Sequence, residues 1–404
     1  MVYNRLSEEL QKRIKEDRAN NRKNPYRFSD ADIIRRDMNR DKASIWRPAF
    51  VRDIEKIMHL PFYNRYADKT QVFSLMKNDD ISRRFYHVQL VARIARNIGS
   101  VLGLNTDLIE AISLGHDIGH TPFGHAGERI INALYHGETG RYFNHNIQSA
   151  RVLDKIADRN ISLQTLDGII CHNGELECQE YRPVKLASFE EYDKKLENCY
   201  VEQEAVGRLV PGTLEACVMR ISDIIAYLGK DRQDAVKIGM IQKESEFSGG
   251  NIGTSNAEII NNLIVNIIEN SYGKDYIRME DAYFDELVRA KEENSQFIYR
   301  ADEGGRIINE QIKPMTEQIY YKLLKDVKEH DKASIIYRHH INYVKNINRY
   351  DDESDKWKEY LATEPNQLVV DYMASMTDDY FVDLYHYLFP KGTYGVEYKG
   401  YFES

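Results

Sequence analysis

Helix breakers and cross-linking residues are both scarce, with nine prolines and four cysteines in 404 positions. So few prolines leave long stretches able to continue as helix, since proline inside a helix removes a hydrogen bond and clashes with the preceding turn. Cys171, Cys178, Cys199 and Cys217 show no disulfide-framework spacing. CHNGELEC brings Cys171, His172 and Cys178 together but lacks the paired Cys-x-x-Cys arms of a structural zinc site. A reducing cytoplasmic setting is expected. No apolar run approaches the roughly 18 to 20 residues that span a bilayer. The opening MVYNRLSEELQKRIKEDRANNRK also has no apolar signal-peptide core. Acidic residues outnumber basic ones: the net charge of −9 argues against a general nucleic-acid coat, which needs a basic face, so nucleic acid is a possible but not an indicated partner. The glycines of FSGGNIGTSN (247–256) fit neither a P-loop nor a dinucleotide fingerprint and mark a loop.

What is present favours helix. With 42% hydrophobic and 29% charged residues, the chain can build a sizeable core. In HVQLVARIARNIGSVLGLN, Val88, Val91, Ile94, Ala95, Ile98 and Leu102 recur at three- and four-residue steps, predicting one apolar helical face that stops near Gly103. DLIEAISLGHD begins another helix, and Thr121-Pro122 reads as a cap and first residue opening FGHAGERIINAL. RVLDKIA, LEACVMRISDIIAYLGKDRQDAV and EIINNLIVNIIENS supply three more. Residues 173–197 are charged and poorly periodic, which suggests a surface excursion or lid. No strand–helix alternation supports a parallel sheet. The expected architecture is all-α: one large helical domain over 1–404, with a polar lead-in at 1–45, a core at about 59–240, and a C-terminal helical region and extended tail from 275.

Seven of the twelve histidines lie between 87 and 172. His87, the adjacent pair His116–Asp117, and Asp223 each sit on or at the end of an expected helix. Two imidazoles and two carboxylates from three helices can surround one divalent cation. The donor mixture suits Mn²⁺, Mg²⁺, Fe²⁺ or Co²⁺ rather than a thiolate-rich zinc site. Spacing alone leaves this reading level with a chance His-Asp pair. The metalloprotease reading of HDIGH fails, because that motif needs Glu in second place and an unbroken helix. Asp223, Tyr227 and Asp231 form one stripe at i, i+4 and i+8, which an ordinary amphipathic helix with a polar edge would also show.

Five stretches, in order, carry a resemblance: HLPFYNRYADKTQVF (59–73), RRFYHVQLVARIARNIG (83–99), LGHDIGHTPFGHAGE (114–128), FNHNIQSARVL (143–153) and EACVMRISDIIAYLGKDRQDA (215–235). The region 59–234 resembles the deoxyguanosine triphosphate triphosphohydrolase branch of the HD superfamily. The resemblance implies an HD helical fold with additional helices at both ends and one divalent metal per site. It also implies cleavage of a deoxynucleoside triphosphate to deoxynucleoside and intact triphosphate, and a homo-oligomer; a nucleotide activator is compatible with it.

On the family pattern His87, His116, Asp117 and Asp223 are the metal ligands, and His125 with Glu128 is the proton-transfer pair. Tyr227, Asp231 and Gln71 lie by the sugar. Arg84, three residues before His87, is the cation for the α-phosphate, set against a plain surface arginine. His120 either lines the phosphate side or supports the ligands from behind. His145 is a further group near proton transfer. The chain departs from the pattern at Asn64 and Ser82, where arginines are expected, which leaves the choice of substrate open. Two other readings compete. One is an HD phosphohydrolase acting on a nucleoside monophosphate, cyclic nucleotide or guanosine tetraphosphate. The other is a nucleotide-sensing or nucleic-acid-binding protein with a degenerate site.

Overall fold

The computed structural model describes residues 3–172, 178–300 and 302–400. Among them are eighteen α-helices and a single two-stranded antiparallel ladder that pairs Glu180 with Arg278 and Tyr181 with Ile277. The all-α expectation holds. No helix among the described residues is long and apolar enough to cross a membrane.

The helix Arg84–Leu102 buries the six apolar positions that its periodicity marked, all at 3% exposure or less. Each large aliphatic side chain so buried contributes about 1.5–3 kcal/mol, and that burial fixes which way the helix's first turns face. Two helices pack against it. Thr106–Gly115 buries Leu108, Ile109, Ala111, Ile112 and Leu114, while Leu214–Lys237 is buried around most of its girth, charged residues such as Glu215 and Arg232 included. Ala49–Met58 and Leu163–Ile170 close over the Thr106–Gly115 helix, and Asn256–Ser271, opened by a Ser255/Glu258 capping box, lies along Leu214–Lys237. The C-terminal helices Lys313–Lys328 and Pro365–Ala374 pack on Gly124–Thr139. One apolar core runs from Leu10 through all of these to Tyr385.

Three expectations need correction. The 173–197 stretch, whose residues 173–177 lie outside those described, is not a loose excursion. Its second half opens a helix, Phe189–Val201, that seats Phe189, Tyr192, Cys199 and Tyr200 in the core. Four apolar residues among nine other, mostly charged ones were too diluted to show a period. The helix carrying His125 starts at Gly124 rather than Pro122, because Phe123 takes a left-handed turn with φ 58°. The lead-in is more than surface: Arg35 is buried, donating to Asp53 at 2.6 Å and to the carbonyl oxygens of Ala49 and Asn160. The C-terminal tail, as far as it is described, is extended as expected. It pairs its Lys399 with Leu75 and Lys77 through two 2.9 Å backbone hydrogen bonds.

Candidate metal centre and active site

The buried helix Thr106–Gly115 ends where the first candidate ligand begins. His116 caps it, and its Nδ1–H donates to the Ser113 carbonyl three residues back at 2.7 Å. That bond fixes the tautomer and leaves Nε2 with its lone pair facing inward, buried and without a hydrogen-bond partner. Around it stand His87 from the second turn of its helix, Asp117, and Asp223 from the middle of Leu214–Lys237. His87 Nε2 is 2.9 Å from Asp223 Oδ1; His116 Nε2 is 3.8 Å from the same oxygen and 3.5 Å from Asp117 Oδ2. A buried, orphaned imidazole nitrogen beside a second imidazole and two carboxylates fits a divalent cation, and His87, His116 and Asp223 converge within 4.8 Å. Burial opposes ionisation of Asp223, yet the hydrogen bond from His87 and the nearby imidazoles hold its carboxyl down at about 2. Burial also opposes ionisation of Asp117, and there the Arg84 guanidinium and His116 outweigh it, so its carboxyl lies well below the usual range. Both acids are carboxylates ready to bind.

The rest of HDIGHTPFGHAGE is shaped by close approach. A Cβ on Gly119 would stand 2.3 Å from the Ser149 nitrogen, and one on Gly127 would stand 2.0 Å from the Pro122 carbonyl oxygen. Only glycine lets the loop lie on the His145–Arg151 helix and then turn so tightly. The left-handed Phe123 is held by Asp378, whose Oδ1 accepts from its backbone N–H at 3.0 Å, and by edge packing on Phe381. Asp378 Oδ2 also accepts from the backbone and hydroxyl of Thr70. One C-terminal carboxylate therefore joins KTQVF to the head of the His125 helix. Lys69, buried, donates to the carbonyl oxygens of His120 and Ala374, and burial brings its ammonium down to about 7.

Beyond the metal cluster runs a file of imidazoles. His145 Nε2 lies 3.8 Å from Asp117 Oδ1; His120 stacks on His145 with ring centres 4.5 Å apart, and His125 stands 5.0 Å from His120. Glu128 Oε2 faces His125 Nδ1 and His145 Nδ1 at 3.0 Å each. Burial opposes ionisation of Glu128, and the two imidazoles more than offset it, so it stays a carboxylate and orients both rings. His120 is fully buried with neither ring nitrogen hydrogen-bonded, and burial together with Arg84 and His145 keeps it neutral. His125, with 47% of its side chain exposed, is the member that solvent or a ligand reaches.

Residues 84–228 match the HD domain family. A protein from Clostridium tetani is 30% identical over 353 residues, which is 85% of this chain and 86% of that protein. One from Clostridium perfringens is 30% identical over 368 residues, 88% of this chain and 90% of its own length. One from Caldanaerobacter subterraneus is 29% identical over 372 residues, 90% of this chain and 91% of that one. All three are described as deoxyguanosinetriphosphate triphosphohydrolase-like proteins. The chain belongs to this deoxyguanosinetriphosphate triphosphohydrolase-like family.

The structure brings the remaining residues singled out from the family pattern to the same region. Arg84 is buried at 3% exposure, its Nη1 paired with Asp117 Oδ2 and its Nε near the Thr70 carbonyl oxygen, so it is no surface arginine. Gln71 has a buried Oε1 without a hydrogen-bond partner. Asp231 is buried and accepts from the Tyr299 hydroxyl at 2.7 Å; burial raises its carboxyl to about 7. Tyr227 is half-buried one turn away. Where the family pattern expects arginine, the Ser82 backbone N–H donates to Asp234 at 3.0 Å. Arg65, beside Asn64, turns to the Ser375 carbonyl oxygen and the Phe62 ring.

Sequence reasoning passed over His172, Asp378 and Tyr299. His172 was considered only as part of a rejected zinc pattern. It is in fact buried against the metal cluster, its ring centre 4.8 Å from that of His116 and its Nε2 3.8 Å from Asp117 Oδ1.

Proposed function

We propose that the chain is a metal-dependent hydrolase that cleaves deoxynucleoside triphosphates at the α-phosphate, releasing deoxynucleoside and intact triphosphate. The observation that carries this reading is the continuity of the site: a His/Asp cluster and a carboxylate-backed histidine pair joined through His120 and His145. His87, His116, Asp117 and Asp223 would hold the cation, with Mn²⁺ and Mg²⁺ preferred and Fe²⁺ and Co²⁺ admitted by the donor set. When bound, such an ion supplies Lewis acidity at a phosphoryl oxygen and makes water a better nucleophile.

The protein's own groups account for the remainder. Glu128, kept ionised, accepts from His125 Nδ1–H and so presents Nε2 as the exchanging atom. As water attacks the α-phosphorus and the bond to O5′ breaks, His125 delivers a proton to that oxygen, a role worth about 10²–10⁴ in rate. Arg84 adds fixed positive charge beside the α-phosphate, and His120 lines the phosphate path. Gln71, Tyr227 and Asp231 receive the sugar, with the unpartnered Gln71 carbonyl and the Asp231 carboxyl turned to its 3′-hydroxyl. Tyr227 against the 2′ carbon would exclude a ribose.

The test is product identification. The protein is incubated with each of the four dNTPs and with GTP, in Mn²⁺ and separately in Mg²⁺, beside a His116→Ala/Asp117→Ala control. Deoxynucleoside plus tripolyphosphate, absent from the control, is the expected result. Release of pyrophosphate or orthophosphate instead would overturn the triphosphohydrolase reading.

A further inference from the structure

The loop between Gln71 and Arg84 has two limbs that are held differently. Its base is closed by an antiparallel bridge between Thr70 and Arg83. The returning limb is tied to the helix Leu214–Lys237. There the Ser82 N–H donates to Asp234 at 3.0 Å, and the Lys237 ammonium donates to the Asp80 carbonyl oxygen at 2.8 Å. The outgoing limb carries Gln71 and is tied to the C-terminal tail instead. The Lys399 N–H donates to the Leu75 carbonyl oxygen and the Lys77 N–H to the Lys399 carbonyl oxygen, both at 2.9 Å, so Met76 and Lys399 form a parallel bridge. Arg83 adds one bond from within the loop, to the Met76 carbonyl oxygen at 2.9 Å.

Two features show that the outgoing limb needs this hold. Leu75 is buried at φ 63°, a left-handed turn that leucine keeps only where its surroundings fix it. Val72 and Phe73, which follow Gln71, pack apart from the main core, in a small apolar cluster with Ala235, Ile241, Phe247 and Ile298. Asp231 lies one turn before Ala235, and its hydrogen-bond partner Tyr299 follows Ile298. The residues assigned to the sugar therefore ride on few apolar contacts, the condition for low local stability. The tail is better seated. Tyr394, Val396 and Tyr398 pack against the main core, and the Gly395 N–H donates to Gln311 at 3.2 Å. It carries the rigidity of the core to a limb that lacks its own.

We propose that residues 394–400 are a strap that positions Gln71 for the sugar 3′-hydroxyl, with the Lys399 peptide as the positioning group. The inference rests on the reading of Gln71 as a sugar contact. Coupling between two sites is reciprocal, so the strap tightens binding of the 3′-hydroxyl and a bound 3′-hydroxyl tightens the strap. The metal ligands and His125 stand on other elements, so metal binding and proton delivery do not depend on it.

Lys399→Pro removes the donor N–H, whereas Lys399→Ala keeps the backbone that makes both bonds. KM and kcat are measured in Mn²⁺ for the dNTP that the full chain hydrolyses fastest and for its 2′,3′-dideoxy counterpart. In Lys399→Pro, KM for the dNTP should rise about two- to tenfold, the worth of one hydrogen bond, with kcat and bound Mn²⁺ unchanged. KM for the dideoxy counterpart should stay as in the parent, and Lys399→Ala should match the parent with both nucleotides. Added to Gln71→Ala, Lys399→Pro should raise KM no further, because the two act as one unit. An equal rise for both nucleotides, or none, would overturn the proposal. Should Lys399→Pro fail to fold, hydrogen exchange in the slow His125→Ala protein decides. The dNTP should slow exchange of the Lys77 and Lys399 amides more than the dideoxy counterpart does, and equal effects would refute the strap. Absence of any dNTP hydrolysis by the unaltered chain would instead remove the reading of Gln71, and the strap's role with it.

Discussion

Removing the Asp378 carboxylate should cost both stability and turnover, through atoms that touch no substrate. The carboxylate accepts three hydrogen bonds, from the Phe123 N–H at 3.0 Å, from the Thr70 N–H at 3.3 Å and from the Thr70 hydroxyl. Phe123 and Thr70 are 4% and 2% exposed, so in Asp378→Ala water does not readily replace the lost acceptor. Each buried donor left unmade costs about 1–3 kcal/mol, and the Thr70 hydroxyl can rotate to another acceptor, so the two backbone donors leave a total of about 2–6 kcal/mol. At about 2.1 cal/mol/K per residue, unfolding a chain of this length carries an entropy near 0.85 kcal/mol/K, so the melting temperature should drop by about 2–7 °C. The clamp also holds Phe123 at φ 58°, a strained turn of about 1–3 kcal/mol at the head of the helix that carries His125 and Glu128. Released, the turn relaxes and shifts the pair, so kcat should fall at least about tenfold while bound Mn²⁺ is unchanged. Asp378→Asn keeps one acceptor oxygen and should lose roughly half as much stability. Calorimetry, metal analysis and steady-state kinetics on the two variants decide it. An alanine variant melting within about 1 °C of the parent with undiminished kcat would refute the clamp.

Three further outcomes follow from the same geometry. His125→Ala and Glu128→Gln should each lower kcat by about 10²–10⁴ with the metal retained, and loss of metal in either would place the pair among the ligands instead. Mn²⁺ at a hundred times its dissociation constant should stabilise the protein by about 2.7 kcal/mol in thermal melts, and much of that gain should vanish in His116→Ala. Asp231 titrates at about 7 in the fold but near 4 when unfolded, so it binds its proton more tightly in the native state. Its contribution to stability is complete below about pH 4 and is lost as pH rises through 7. Asp231→Asn should therefore gain stability relative to the parent between pH 4 and 8, and parallel denaturation curves across that range would contradict the assignment.

Much of the scaffold was legible because its causes are local. The face Val88–Leu102 and the stripe Asp223–Tyr227–Asp231 follow from a period of 3.6, and each is where that period places it. The candidate set His87, His116, Asp117 and Asp223 was legible through the family resemblance, since spacing alone left it level with a chance His-Asp pair, and only the fold shows that His87 and Asp223 meet at 2.9 Å. Asp378 and Tyr299 were not legible, because their effect depends on contacts with Phe123, Thr70 and Asp231 from distant parts of the chain. No short-range pattern distinguishes Asp378 from the adjacent Asp379.

His172 is a different case, because a local signal was available. EAISLGH and LDGIICH are both apolar helical segments that run out at a histidine, and both helices are buried almost throughout. At such an end the last carbonyls lack helical partners, so an imidazole there can turn its Nδ1–H back to the carbonyl three residues earlier. That bond points Nε2 away from the helix and into whatever the helix end faces. His116 and His172 do this at 2.7 Å in both cases, and their rings come to rest edge to face, 4.8 Å apart. The neighbouring cysteines drew attention to thiolate chemistry, yet burial raises Cys171 far above the range in which a thiol ionises, and Cys171 packs toward Asp167 and Val210. The informative feature was therefore the histidine's position at the end of a buried helix, which the Cys-x6-Cys spacing around it obscured.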